Sequence, residues 1–192
     1  MTQKQENMKN WNEFRAGDNQ AYARIYRTYV KQMLAYGMCF STDRELVKDC
    51  VQNVFMNIYE NRSRLKDVDN VKLYLFAALK NHLFNLFEKK KEFSSIESIE
   101  PVFSVDYTIE NQLEEQENDH DRKEKILKIL DILTPRQKEV IYYRYMEEMD
   151  FDEIGKIMQM NYQSLHNLIQ RSIIKIRKSF PDMHKKQVKL KK

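Results

Sequence analysis

The chain is almost free of the two residues that punctuate β-structure: its 192 residues contain three glycines and three prolines. An average composition would give about 12% for the two together. Sandwiches and barrels need frequent glycine and proline turns, and doubly wound α/β folds need glycine loops. Because 42% of the residues are apolar, wholesale disorder is also excluded. The sequence therefore predicts an all-α protein.

Charge is distributed unevenly along the chain. Residues 1–91 carry sixteen basic and ten acidic residues, residues 92–121 carry ten acidic and no basic residues, and residues 122–192 carry seventeen basic and nine acidic residues. An acidic block with weak hydrophobic periodicity is typical of a solvated linker. We therefore expect two small helical domains at 8–91 and 122–182, joined by a mostly disordered acidic linker at 92–121 and followed by a basic tail at 183–192.

Apolar residues recur at helical spacing throughout the first domain. One helix is expected to begin at Asp18 and to end at Gly37, a second to begin at Thr42, and a third to follow Asn70. Residues 61–70 lose this period, which predicts a polar loop.

The second domain contains strong signals for helix starts. Thr134 precedes Pro135 and is followed by Gln137, and Asp150 is followed by Glu153. A capping residue with a glutamine or glutamate three positions later predicts a capping box, and proline is favoured at the first helical position.

A short turn at residues 159–161 separates the last two predicted helices, which is the spacing of a helix-turn-helix. Such a motif places its second helix in the major groove of DNA. Amide side chains pair with adenine there and arginine pairs with guanine. The expected base contacts are Gln163, Ser164, His166, Asn167, Gln170 and Arg171, and the expected phosphate contacts are Arg136, Lys175, Arg177 and Lys178. An ordinary helical hairpin with a polar outer face has the same spacing.

The usual signals of an enzyme are missing from the sequence. The four histidines have no metal-ligand spacing, and we find neither a phosphate-binding glycine loop nor a nucleophile elbow. Cys39 and Cys50 form no CxxC pair, so we expect them to be buried small hydrophobes. We expect no catalytic residue, metal, cofactor or small-molecule substrate. With no apolar run of about 20 residues and no apolar signal core, the sequence predicts a cytoplasmic protein.

Residues 133–178 resemble the promoter-binding region 4 of bacterial sigma factors. The shared pattern consists of Leu133, Arg136, Lys138, Glu139, Val140, Arg144, Tyr145, Glu147, Glu153, Ile154, Ser164, Leu165 and Arg171. Three positions depart from the family: Glu148 and Gln159 replace common glycines, and Asn85 replaces a frequent aspartate. A positive φ at Glu148 would cost about 1 kcal/mol.

The first domain resembles region 2 of the same family. The matching residues are Gly17, Asp18, Ala21, Tyr22, Ile25, Tyr26 and Tyr29, then Asp49, Cys50, Val51, Gln52, Val54 and Phe55, and finally Tyr74, Leu75, Lys80 and Asn81. Two such regions joined by a linker resemble the layout of the small extracytoplasmic-function sigma factors.

This resemblance implies an alternative sigma factor that binds core RNA polymerase and directs it to specific promoter DNA. Asp49, Gln52 and Asn53 would dock on the clamp helices of the largest polymerase subunit, and the second domain would read the −35 element. The residues expected to hold the melted −10 strand are Arg62, Arg64, Lys66, Asn70 and Tyr74, because an unstacked base needs aromatic and cationic neighbours. Tyr74 fits a place in the core equally well. A membrane-linked anti-sigma protein is a further partner that the resemblance implies.

One alternative from another class stays open at this point. The chain could be a conventional helix-turn-helix transcriptional regulator whose first domain serves dimerisation or sensing. The helix around Asp49 to Phe55 discriminates between the two, because only a sigma factor binds core polymerase without DNA.

Overall fold

A computed structural model of the chain describes residues 3–93, 103–105 and 120–181. The chain divides into two compact units, residues 1–102 and 103–192. Every secondary-structure element in the described ranges is a helix, which confirms the all-α prediction. Within these ranges no helix combines the length and apolar content of a membrane span, and no cluster of three His, Cys, Asp or Glu side chains could hold a metal ion.

The helices are long in the first unit and mostly short in the second. The first unit contains α1 (Gln3–Arg15), α2 (Asn19–Met38), α3 (Arg44–Glu60), one turn of 3₁₀ helix (Arg62–Arg64) and α4 (Val71–Phe93). The second contains α5 (His120–Asp131), α6 (Pro135–Ile141), a π-helix (Tyr142–Met146), α7 (Phe151–Met158) and α8 (Tyr162–Ser179). The predictions for 94–102, for 106–119 and for the basic tail from 183 onward fall outside the described residues.

The core of the first unit is formed by the apolar stripes of α1 to α4. Large aromatic side chains dominate it; Tyr36 and Phe76 stack with ring centroids 4.3 Å apart. Cys39 and Cys50 are buried and free, as predicted, and burial raises the pKa of the Cys50 thiol to about 11. The buried side chains include Trp11, Phe14, Ile25, Tyr29, Met33, Val47, Val51, Val54, Phe55, Ile58, Leu75, Leu79 and Leu83.

Two helix boundaries in the first unit differ from the prediction. Gly37 does not end α2, which continues for one more residue. A Cβ atom at Gly37 would lie 2.5 Å from Val47 Cγ1, so glycine is needed here for the close approach of α2 and α3. The cap of α3 is Asp43 rather than Thr42, because the Asp43 carboxylate accepts a hydrogen bond from the backbone N–H of Leu46.

The second unit relies on side-chain caps to begin its helices. Thr134 and Gln137 form a capping box at α6, and Asp150 and Glu153 form another at α7, which confirms both predictions. Asn161 caps α8 by accepting from the backbone N–H three residues later. Each cap contributes about 1 kcal/mol. That contribution matters because helices of seven and eight residues, such as α6 and α7, are marginal in isolation.

A π-helix follows α6 and changes which tyrosines face the core. Helical spacing from Val140 and Ile141 favours Tyr143 and Tyr145 for the core. Tyr142 and Tyr143 are both buried, whereas Tyr145 is 58% exposed. The wider helical turn moves these side chains around the axis relative to an α-helix, so α-helical spacing does not predict them.

Both residues that replace family glycines have left-handed backbone conformations. The φ angle is +55° at Glu148, before α7, and +52° at Gln159, where α7 ends. The expected cost of about 1 kcal/mol therefore applies at both positions. The chain keeps the turn geometry of a helix-turn-helix without the residue best suited to it.

A short part of the acidic connector is packed into the second unit. Phe103 and Val105 are 3% and 0% exposed, and the Phe103 ring centroid lies 5.5 Å from that of Tyr142 and 6.4 Å from that of Tyr143. Residues 103–105 of the predicted linker are therefore part of this core. Two apolar residues two positions apart complete an aromatic core, and a pattern that short gives no periodic signal.

Candidate nucleic-acid interface

Helix α8 has a buried face and a polar outer face. Leu165, Ile169 and Ser172 are buried against the second unit. None of the residues predicted to contact bases is buried: Gln163, Ser164, Asn167, Gln170 and Arg171 are exposed, and His166 is half-buried. The structure therefore brings the predicted base contacts together on one accessible surface.

Hydrogen bonds along α8 link the side chains of this outer face. Gln163 Nε2 donates to Asn167 Oδ1 at 3.2 Å, and Gln170 Nε2 lies 3.5 Å from His166 Nε2. Pairs four residues apart are neighbours on a helix surface. An amide held in one orientation presents a fixed donor and acceptor pattern, which bidentate pairing with adenine requires.

Three aromatic rings meet where α7 and α8 begin. The ring centroid of Tyr162 lies 5.3 Å from that of Phe151 and 6.2 Å from that of His166. The guanidinium of Arg144 lies 5.5 Å from the Phe151 centroid. Its helical spacing with Ile154 and Met158 predicts an inward-facing Phe151, which is instead half-buried in this cluster. Sequence reasoning missed Tyr162, because it falls on the polar side of the helical period.

Basic side chains flank the outer face of α8. Lys175, Arg177 and Lys178 are exposed along its second half, and Arg136 is exposed in the first turn of α6. Exposed cations beside a polar helix face are suited to phosphate contacts, which supply most of the non-specific affinity for DNA.

In the first unit, the loop between α3 and α4 is held by α1. Trp11 Nε1 donates to the carbonyl oxygen of Lys66 at 3.2 Å, and Arg15 Nε donates to that of Leu65 at 2.7 Å. Arg15 also forms an ion pair with Asp67. The loop backbone is thereby fixed by residues about 50 positions away in the chain, and no local sequence signal indicates them.

The three basic residues predicted to hold the −10 strand differ in the contacts that their side chains make within the first unit. Arg62 donates to the Tyr59 carbonyl at 3.0 Å, and its guanidinium lies 4.8 Å from the Tyr59 ring centroid. Arg64 and Lys66 are exposed. Arg62 is therefore already engaged with the end of α3, whereas the other two side chains extend into solvent.

The remaining two residues of that set have structural contacts of their own. Asn70 Oδ1 accepts a hydrogen bond from the backbone N–H of Leu73 at 3.2 Å, so Asn70 caps α4. Tyr74 is half-buried with its ring centroid 5.1 Å from that of Trp11, and burial raises the pKa of its hydroxyl. Tyr74 is therefore partly a core residue and partly accessible.

A cavity of 210 Å³ adjoins this loop. It is lined by Val54, Asn57, Ile58, Asn61, Leu65, Tyr74, Ala78 and His82. A histidine beside Asn81 on a helix is expected on the polar surface, yet the Nε2 atom of His82 is buried and has no hydrogen-bond partner among the described residues. A buried polar atom without a partner costs about 1–3 kcal/mol, so a ligand that bonded to it would be favoured.

A larger groove of 580 Å³ lies along α2 and α3. It is lined by Tyr22, Tyr26, Val30, Leu34, Lys48, Val51, Gln52, Phe55 and Met56. Tyr26 and Met56 are large apolar side chains that remain 42% and 49% exposed. Of the residues predicted to contact polymerase, Gln52 lines the groove, and Asp49 and Asn53 are exposed on the same helix.

Comparison with known proteins gives one family match and several matches across both units. Residues 123–176 match the family model for sigma-70, region 4. The chain is 22% identical over 148 residues to the ECF RNA polymerase sigma factor SigM of Bacillus subtilis, covering 77% of this chain and 88% of that protein. It is 19% identical over 158 residues to RNA polymerase sigma factor YlaC of the same species, covering 81% and 89%.

The fold has a counterpart among solved structures. The sigma factor RpoE, determined in complex with the anti-sigma factor NepR from Bartonella quintana, matches with a TM-score of 0.60 and 16% identity, covering 84% of this chain and 97% of that chain. An alignment of 158 residues is longer than either unit, so the likeness to YlaC includes parts of both. Residues 123–176 therefore match sigma-70, region 4, and across both units the chain is similar to RNA polymerase sigma factors of the extracytoplasmic-function group.

Proposed function

We propose that the chain is an alternative sigma factor, which binds core RNA polymerase and selects the promoters at which transcription begins. The observation that carries this proposal is the outer face of α8, where the predicted base-contacting residues share one accessible surface opposite buried Leu165 and Ile169. The chemistry of RNA synthesis belongs to the polymerase, and we assign no catalytic residue to this chain.

Helix α8 would read the upstream promoter element in the major groove. Asn167 and Arg171 lie one helical turn apart on the exposed face and carry the side chains best suited to adenine and guanine. Lys175, Arg177 and Lys178 would contact phosphates and fix the register of the helix. Loss of one base contact should cost about 1–3 kcal/mol and relax specificity at one position.

The loop between α3 and α4 would hold the melted −10 strand. Its backbone is already fixed by Trp11 and Arg15, so binding would not have to order it. Arg64 and Lys66 are available for the strand backbone, and the 210 Å³ cavity offers His82 beside it for an unstacked base. Asn70, which caps α4, and Tyr74, which packs against Trp11, would also contact the strand.

The groove along α2 and α3 would dock on the clamp helices of the largest polymerase subunit. Its exposed apolar side chains, Tyr26 and Met56, share the groove with polar Gln52, and Asp49 and Asn53 are exposed on the same helix as Gln52. An apolar centre within a polar rim is the usual anatomy of a protein interface, and an exposed aromatic residue is a frequent energetic centre. We place the core-binding surface there.

An anti-sigma protein is the remaining proposed partner. The solved RpoE chain was determined in complex with the anti-sigma factor NepR. We propose that a protein of this class masks the surfaces just described; membrane linkage of that partner is an expectation from the resemblance only.

Binding to core polymerase in the absence of DNA tests this function against that of a conventional regulator. We expect the full chain to be retained on immobilised core enzyme. Replacing Asp49 and Gln52 with alanine should lower core affinity at least tenfold, and replacing Asn167 and Arg171 should leave it unchanged. Glu60→Ala, an exposed change at the end of α3, is the matched control. A chain that bound a specific duplex but no core enzyme would be a conventional regulator.

A further inference from the structure

An aromatic patch lies beside the polar reading face of α8. It consists of Phe151, Tyr162 and His166, whose ring centroids lie between 5.3 and 6.3 Å from one another. Tyr162 is 62% exposed, the highest exposure among the large hydrophobic side chains that the structure leaves open to solvent in the described ranges. A ring this exposed adds little to the core and is accessible to a partner outside the chain.

The patch is held firmly in place. Phe151 and Tyr162 are the first residues of α7 and α8, and each follows a capping residue, Asp150 and Asn161. The Tyr162 ring is nearly parallel to the His166 ring, with an interplanar angle of 18°. A ring supported by two neighbouring rings loses little side-chain entropy on binding.

The place of Tyr162 on α8 determines what it can meet. In a helix-turn-helix, the N-terminal side chains of the second helix lie against base edges in the major groove. Three of the four bases present only hydrogen-bonding groups there, whereas thymine also presents its C5 methyl group. The methyl group of thymine is therefore the apolar group of the major groove that an aromatic ring at this position can contact.

We infer that the aromatic patch is a specificity-determining contact and that Tyr162 packs on the methyl group of a thymine in the upstream promoter element. This inference rests on the proposed function and deepens it: the polar residues of α8 read hydrogen-bonding groups, and Tyr162 reads a methyl group. The ring makes the contact, and the hydroxyl is not required for it.

Substitution of thymine by deoxyuridine tests this inference, because it removes only the methyl group and keeps the base pair. Holoenzyme made from core polymerase and the full chain first selects duplexes from a pool with a randomised upstream region. Each thymine of the selected element is then replaced singly by deoxyuridine. We expect one position at which wild-type affinity falls about fourfold, the loss typical of one buried methyl group.

Two variants at Tyr162 distinguish the contribution of the ring to DNA affinity from that of the hydroxyl group. Tyr162→Ala should lose a similar factor on the thymine duplex and become insensitive to deoxyuridine, whereas Tyr162→Phe should behave like the wild type. Tyr145→Ala removes another exposed tyrosine, outside α8, and should change nothing. Unchanged hydrogen exchange across α6 to α8 verifies that the second unit of each variant is folded, and retained binding to core enzyme verifies the first.

Three results would overturn the inference while leaving the proposed function intact. In the first, wild-type affinity does not change when any thymine is replaced by deoxyuridine. In the second, deoxyuridine lowers the affinity of Tyr162→Ala by the same factor as that of the wild type. In the third, Tyr162→Phe binds the thymine duplex as weakly as Tyr162→Ala. The last result would assign the contact to the hydroxyl and a phosphate. A holoenzyme that selected no common element would overturn the proposed function and this inference together.

Discussion

The two units present their proposed binding surfaces by different physical means. In the first, helices of 13 to 23 residues enclose an aromatic core, and α1 fixes a distant loop through Trp11 and Arg15. In the second, helices of seven and eight residues precede α8, and caps, two left-handed residues and a piece of the connector define their geometry. The surface of the first unit therefore depends on long-range packing, and that of the second on local backbone chemistry.

The largest expected effect is at the connector residue that completes the second core. Phe103→Ala removes a buried ring from its contact with Tyr142 and Tyr143 and should destabilise the second unit by about 3–5 kcal/mol. Hydrogen exchange on the full chain should show faster exchange across α6 to α8 and unchanged exchange in α2 to α4. Ser104→Ala, in the same segment, should have a smaller effect. A loss below about 1 kcal/mol would mean that the connector is not part of this core.

The next effect tests close packing in the first unit. Gly37→Ala should destabilise by about 1–3 kcal/mol, because the new Cβ meets the stiff side chain of Val47. In an exposed helix, by contrast, replacing glycine with alanine stabilises the protein by about 1 kcal/mol. In the double variant with Val47→Ala, the Gly37→Ala change should cost less, which urea unfolding of the four variants would measure. Equal costs in both backgrounds would exclude the clash.

A smaller effect, of opposite sign, is expected at the left-handed residues of the second unit. Glu148→Gly and Gln159→Gly should each stabilise it by up to about 1 kcal/mol, because glycine adopts a positive φ without a steric penalty. Glu148→Ala and Gln159→Ala keep the penalty and serve as controls. Slower exchange in α7 and α8 of the glycine variants is the readout. Destabilisation by glycine would show that the native side chains contribute more than their backbone strain costs.

The smallest effect is a pH dependence at the cap of α2. Hydrogen bonds from the backbone N–H groups of Gln20 and Ala21, assisted by Arg24, hold the pKa of Asp18 below its ordinary value of 3.8. A lowered carboxyl pKa in the folded state stabilises the chain above the unfolded pKa, and this stabilisation is lost as pH falls through the folded pKa. The stability difference between wild type and Asp18→Asn should therefore shrink below about pH 4. A difference that did not change between pH 7 and pH 3 would contradict this assignment.

Most of the fold is predictable from the sequence because its signals are local. Helical periodicity indicates the helices, and the capping boxes at Thr134 and Asp150 are recognisable from side chains three residues apart. The polar face of α8 is also local, since residues three and four apart share a face. The predicted boundaries at Gly37 and Thr42 were wrong. Glycine can end a helix or allow two helices to approach closely, and at Thr42 the neighbouring Asp43 is an equally suitable cap.

The parts that sequence reasoning missed depend on contacts distant in the chain or on irregular helices. Arg15 reaches Leu65 across 50 residues, and Phe103 reaches Tyr142 across the acidic connector. The π-helix alters the helical period itself and leaves Tyr145 exposed. Tyr162 could have been noticed as an aromatic residue on a polar helix face, which is the one sequence signal that points to it.

Mapping transcription starts with reconstituted holoenzyme tests the central claim most directly. Core polymerase with the wild-type chain should initiate at a discrete set of sites that share an upstream element. With the Asn167→Ala, Arg171→Ala variant, core binding should persist while preference weakens at particular positions of that element. Starts without any common element, or unchanged promoter choice by the double variant, would contradict the claim that one unit holds the polymerase and α8 chooses the promoter.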